Sequence, residues 1–167
     1  MIYNIPLGAG QRAIADMIEN ALVYEYVEQG GVLPNSVRSI EDVSFDGKLI
    51  DIKTRDVGRQ FSMPNLISVD RLLKQKDLEI VYDFVTYAVD GLQAKVISRE
   101  QRPVYTLDWE DLRIQNLGLG QLQLVNHDLG VSQLSRDQWY EQLELEMVKF
   151  YDRQIIKFKK LRNKLLS

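Results

Sequence analysis

Asp51, Ile52 and Lys53 place an acid and a lysine two residues apart, and Asp42 stands nine positions upstream. Alternate side chains on a strand share a face, so Asp51 and Lys53 point the same way if this segment is extended. Between the two acids lies Asp46-Gly47, a pair that tolerates positive φ and is a strong signal for a two-residue hairpin turn. With that turn, Phe45 opposes Lys48, and the same register carries Asp42 to the position across from Asp51. Two facing carboxylates repel each other unless something positive lies between them. Lys53 is one candidate and a divalent cation is the other; a donor set of carboxylates favours Mg²⁺, with Mn²⁺ as a substitute. A lysine beside such a pair can orient an attacking water and stabilise charge developing on a phosphate. Asp46 and Lys48 repeat the acid-x-Lys spacing, but they flank the turn and read as solvated turn chemistry.

Composition removes most other chemistries. The 167 residues contain no cysteine, which excludes a thiol nucleophile, an Fe–S cluster, a disulfide scaffold and Cys-ligated zinc. His127 is the single histidine, so multi-histidine metal sites are excluded and a Ser-His-Asp triad is disfavoured. No run approaches the roughly 18 apolar residues of a membrane span, and no basic segment followed by an apolar one opens the chain. The expected location is the cytoplasm. Charge is unevenly spread: residues 1–148 carry 14 basic and 23 acidic side chains, whereas residues 149–167 carry 7 basic side chains and one acid, Asp152.

The elements that must position these residues are legible in outline. Ile14, Met17, Ile18, Ala21, Leu22 and Tyr26 recur at helical spacing and predict a helix over Gln11–Glu28, stopped by Gly30-Gly31. Residues 41–45 and 48–54 form the first hairpin. A loop over Arg55–Pro64 leads to a short helix at about Leu66–Lys76. Leu78–Val89 and Leu92–Arg99, joined by Asp90-Gly91, predict a second hairpin. A turn of helix near Trp109 and a strand over Leu117–Val125 follow. Ser135-Arg136-Asp137-Gln138 matches a capping box, and Trp139, Leu143, Met147, Phe150, Ile155 and Phe158 continue at helical spacing. Without a linker or repeat, the expectation is one α/β domain over residues 1–167, a central, largely antiparallel mixed sheet flanked by helices.

Asp42 followed by Asp51-Ile52-Lys53 resembles the signature of the PD-(D/E)xK, restriction endonuclease-like nucleases. Leu49-Ile50-Asp51-Ile52-Lys53-Thr54-Arg55-Asp56, then Met63-Pro64-Asn65-Leu66-Ile67-Ser68, is similar to the stretch around the catalytic Asp and Lys of the HincII-like type II restriction endonucleases. Ile114-Gln115-Asn116, Gln121-Leu122-Gln123, Asp128-Leu129, Ser135 to Trp139 and Lys149-Phe150 extend the likeness, which covers roughly Ser39 to the end. Glu41 replaces the proline of the signature, and the hairpin is shorter than in that family. The resemblance implies Mg²⁺-dependent hydrolysis of DNA phosphodiesters by a homodimer, or a tetramer, astride duplex DNA. It makes Asp42 and Asp51 the metal ligands and, with Lys53, the catalytic set. It makes Asn65, Gln115 and Asn116 candidates for reading bases. Arg55, Arg59 and the Lys149-to-Lys164 cluster are candidates for phosphate contacts by charge. The family often adds an acid from the preceding helix; Glu19 and Glu25 are the choices, each also readable as a solvated helix residue. The same core serves intron-encoded homing endonucleases and repair nucleases, and a catalytically inactive DNA-binding protein on this fold is the alternative outside enzymes.

Overall fold

The computed structural model describes residues 1–35, 41–59, 67–115, 120–125 and 130–166. Helix α1 runs over Gln11–Glu28, as the periodicity predicts, and buries Ile14, Ile18, Leu22 and Tyr26 at four-residue steps. Gly30, with φ 101°, ends it. Gly31 then passes so close to the helix that a Cβ there would lie 2.8 Å from the Tyr26 carbonyl oxygen and 2.9 Å from Val43 Cγ2. Only glycine fits that approach.

Strands β2 (Val43–Phe45) and β3 (Lys48–Asp56) form the first hairpin, Phe45 facing Lys48. Asp46 and Gly47 carry φ values of 49° and 72°, the pair of positive angles that a type I′ turn demands. β5 (Glu79–Asp90) and β6 (Gln93–Pro103) form the second hairpin. Its two loop residues are Gly91 and Leu92, one step further along than Asp90-Gly91, with Gly91 at φ 57°. A strand not anticipated from the sequence, β1 (Ile2–Asn4), pairs with β6. The five-stranded order is β1-β6-β5-β3-β2. Every pairing in this sheet is antiparallel except β3 with β5, which is parallel. The connection between them is long enough for a crossover and holds β4 (Ile67–Ser68) and helix α2 (Val69–Lys74), shorter than the predicted helix.

The five-stranded mixed sheet with its helices is the expected architecture, and a second, three-stranded sheet, β4-β8-β7, adds to it. Within the strand predicted over Leu117–Val125, β8 covers Gln121–Leu124, residues 117–119 lie outside the described residues, and β7 (Leu112–Gln115) comes before it. Short 3₁₀ turns cover Val104–Thr106 and Trp109–Asp111. Helix α3, Arg136–Leu166, starts where the capping box predicts. Ser135 N–H donates to Gln138 Oε1 at 2.9 Å and Gln138 N–H donates to Ser135 Oγ at 3.3 Å.

Alternation along β5 splits the core into two layers. Val81 and Val85 pack with Ile50, Ile52 and α1 on one side of the sheet. Ile80, Tyr82 and Phe84 pack with α2, α3 and the smaller sheet on the other, around a fully buried Trp139. β3 lies between β2 and β5, and its residues Ile50 to Thr54 are all buried. Asp51 and Lys53 are therefore held in the interior by a strand whose other face is anchored through Ile50 and Ile52.

Candidate active site

Asp51 and Lys53 share a face of β3, and the Lys53 ammonium donates to Asp51 Oδ1 at 2.5 Å. Both are almost wholly enclosed, Asp51 at 3% and Lys53 at 8% exposure. Buried charges of this kind are stable only when paired and hydrogen-bonded. Asp42 joins them, though not by the ladder the hairpin register predicts. That register holds from Phe45 to Val43. At the next step Asp42 N–H donates to Ile50 O at 2.8 Å, so Val43 and Asp42 both address Ile50 and the pairing slips by one. The Asp42 side chain reaches forward along β3, where Oδ2 accepts from Ile52 N–H at 2.7 Å. Its carboxyl remains within hydrogen-bonding reach of Asp51.

The electrostatics follow from this crowding. Burial pushes the Asp51 carboxyl up to about 7; Lys53 opposes the shift, and Asp42 adds to it. The strand neighbour of Asp51 in the parallel register is Tyr82. It is fully buried, and its hydroxyl has no hydrogen-bond partner among the described residues. Burial, followed by the charge of Asp51, drives that hydroxyl well above its ordinary range.

Glu19 supplies a third carboxylate. It lies one residue after the fully buried Ile18, at the edge of the apolar stripe, and its Oε1 accepts from Thr54 Oγ1–H at 2.9 Å. Burial raises its pKa, Thr54 and Lys53 lower it, and Asp42 raises it further. Glu19 is thus half-buried beside the same cluster, not a solvated helix residue. Glu25 goes elsewhere: it pairs with Arg99 at 3.0 Å, and Arg99 in turn grips the wholly buried Asp83 at 2.7 Å. Tyr26 O–H also donates to Asp83 Oδ2, at 2.7 Å, and Gln101 Nε2 donates to Tyr26 Oη at 2.6 Å.

The proposed DNA contacts fall at differing distances from this centre. Arg55 follows Lys53 on the same strand face, with its Nε donating to Thr86 Oγ1 at 3.0 Å. Arg59 donates to Gln11 Oε1 at 2.8 Å at the start of α1. Gln115 sits at the end of β7, beside Gln123 and Arg113 in the smaller sheet. Asn65 and Asn116 lie outside the described residues.

Asp42 and Asp51 suit a hard cation by donor chemistry. They are two neighbouring carboxyls, and burial holds one of them, Asp51, above the ordinary carboxylate range even beside Lys53. Among the described residues no group of three or more acidic or histidine side chains is arranged to enclose a metal. A pair of carboxylates is nevertheless a sufficient protein share for Mg²⁺, which keeps several waters and takes substrate oxygens.

Comparison with solved structures matches 84% of the chain to the NlaIV restriction endonuclease, with a TM-score of 0.53 and 10% sequence identity. The fold is restriction endonuclease-like. At that identity the likeness is one of architecture, and the matched region spans 63% of the NlaIV chain. No family model and no curated protein matches the sequence. Within this fold the Asp42, Asp51 and Lys53 group lies on the first hairpin of the five-stranded sheet, Asp51 and Lys53 on the face of β3 opposite the one that Ile50 and Ile52 turn to α1. No helix among the described residues is long and apolar enough to cross a membrane.

Proposed function

We propose that the chain is a Mg²⁺-dependent, site-specific endonuclease that hydrolyses phosphodiester bonds in double-stranded DNA, a type II restriction enzyme. The observation that carries this reading is the convergence of Asp42, Asp51 and Lys53, with Glu19 beside them, on one hairpin of a restriction endonuclease-like fold. Asp42 and Asp51 would hold the cation, with Mn²⁺ able to replace Mg²⁺, and Glu19 adds negative charge alongside. When bound, the cation supplies charge that offsets the build-up on the scissile phosphate. Lys53, free of competing acceptors apart from Asp51 in the described contacts, orients the attacking water and donates to the phosphate. The closed packing around β3 keeps these groups in fixed geometry.

Arg55, on the same face, is positioned for a phosphate beside the scissile one. Arg59 is assigned to the backbone further out, and Asn65, Gln115 and Asn116 to base edges, where amides can pair bidentately with adenine. A homodimer would present two such centres to the two strands. The test is incubation of the purified chain with mixed plasmid and phage DNA in Mg²⁺, in Mn²⁺ and in EDTA, beside Lys53→Ala. Discrete fragments that require the metal and vanish in the variant are the expected result. Fragments that persist in Lys53→Ala would remove the lysine from the mechanism. Absence of both cutting and calorimetric Mg²⁺ binding would replace the nuclease reading with that of an inactive DNA-binding protein.

A further inference from the structure

Helix α3 is 31 residues long, yet its last buried side chain is Phe150. Beyond it the helix continues for four more turns with almost every residue exposed, including Ile155, Phe158, Leu161 and Leu165. A helical segment that leaves large apolar side chains in water is not stable by propensity alone; such stripes exist to be covered. The spacing indicates by what. Val148, Tyr151, Ile155, Phe158, Arg162 and Leu165 recur at steps of three, four, three, four and three, the a/d repeat of a two-helix seam, with β-branched residues at a and aromatic or Leu side chains at d. Val148 is 59% and Phe158 61% exposed.

The charges fit that seam. Lys149, Arg153, Lys157, Lys160 and Lys164 all fall at the b, c and f positions of the same heptads, on the outer side of the helix. A pairing through a and d therefore keeps five like charges away from the contact. The one polar a residue, Arg162, decides direction. Parallel helices would set Arg162 against Arg162 of the second copy. Antiparallel helices set it across from Tyr151, place Ile155 against Phe158 and Val148 against Leu165, and bring Asp152 next to Lys159 at the flanking e positions. Asp152 is the sole acid after residue 148, and this is the arrangement in which it meets a base twice over by symmetry.

We infer that the distal half of α3 is an oligomerisation arm, pairing antiparallel with the same segment of a second copy of this chain. The inference rests on the helix alone and stands apart from the nuclease reading. The seam covers two and a half heptads, so the pair is expected to be concentration-dependent, not permanently closed.

The chain's lack of cysteine makes a directional test clean. Val148→Cys and Leu165→Cys are prepared separately in the full chain; the two exposed sites are about 26 Å apart along one helix. Under mild oxidation, antiparallel pairing predicts a disulfide-linked dimer only when the two variants are mixed. A strong cross-link within either variant alone would overturn the antiparallel assignment. No cross-link in any combination, with a monomer mass by light scattering at tens of micromolar, would overturn self-pairing altogether. As a second measurement, Ile155→Glu with Phe158→Glu is expected to convert dimer to monomer with an unchanged melting transition. Retention of the dimer in that variant would also overturn the inference, as would loss of the arm's exposure by binding to anionic vesicles in place of a second copy.

Discussion

At the scale of single residues, the candidate site holds more negative charge than its surroundings stabilise. Burial is the largest cause of the Asp51 shift and outweighs the attraction of Lys53. In the unfolded chain this carboxyl titrates at its ordinary value of 3.8, and in the folded chain at about 7. The folded state therefore binds the extra proton between these limits, and stability falls as pH rises through that window. Three pH units of difference correspond to a cost on the order of 4 kcal/mol above pH 7, before relaxation around Lys53 reduces it. Asp51→Asn is accordingly expected to be more stable than the natural chain at pH 8, by about 2 kcal/mol, and no more stable at pH 4, while losing cleavage. Urea unfolding at the two pH values checks this; destabilisation at pH 8 would show that the Asp51–Lys53 pair holds the strand in place. Glu19→Gln keeps the Thr54 hydrogen bond and removes only charge. It is expected to weaken Mg²⁺ binding by up to about tenfold, with little change in melting temperature.

At the scale of elements, α1 is fixed to the sheet by more than its apolar stripe. Tyr26 and Glu25 on the helix both reach Arg99 or Asp83 on the strands, so one guanidinium joins three elements. Removing it leaves Asp83, with no exposed surface, without its main counter-charge. Arg99→Ala is expected to cost about 3–5 kcal/mol in denaturant unfolding. The double variant Asp83→Asn with Arg99→Met is expected to recover much of that loss, because no unpaired charge then remains inside. Gly31→Ala tests the other anchor of α1. Its new Cβ would meet the Tyr26 carbonyl, a backbone atom that cannot swing aside. A loss of about 2 kcal/mol or more is expected. Since α1 carries Glu19, the variant is also expected to lower activity more than the fraction unfolded accounts for.

At the scale of the whole molecule, the acidic body and the basic distal helix are separate surfaces. The helix has one apolar side for a second copy and one basic side left in water. Duplex DNA is the proposed partner of that basic side, which gives a separable prediction. Lys157→Gln with Lys160→Gln is expected to leave the oligomeric state unchanged. It is expected to weaken DNA binding alike on all sequences, flattening the dependence of log affinity on log salt by about one per lysine. Binding titrations at several salt concentrations would detect this, and an unchanged slope would place the DNA elsewhere. Arg55→Ala, by contrast, is expected to depress cleavage more than binding, since Arg55 shares the strand face of Lys53.

The sequence by itself determined the local elements with strong periodic or turn chemistry. The helix over Gln11–Glu28, the Asp46-Gly47 hairpin and the capped start at Ser135 depend on residues close in the chain, so their spacing is enough. It also placed Asp51 and Lys53 on one face, because strand geometry alone requires that. Tertiary structure decided the rest. The parallel pairing of β3 with β5, the strand β1 and the second sheet arise from contacts between segments far apart in sequence, and no local pattern encodes them. The slip at Asp42, which turns a simple cross-strand pair into a side-chain contact with Ile52 N–H, is a bulge set by packing. The choice of Glu19 over Glu25 was likewise invisible, since both lie on the same predicted helix. Which carboxylate reaches the cluster depends on how α1 rotates onto the sheet, and burial of Ile18, Leu22 and Tyr26 fixes that rotation.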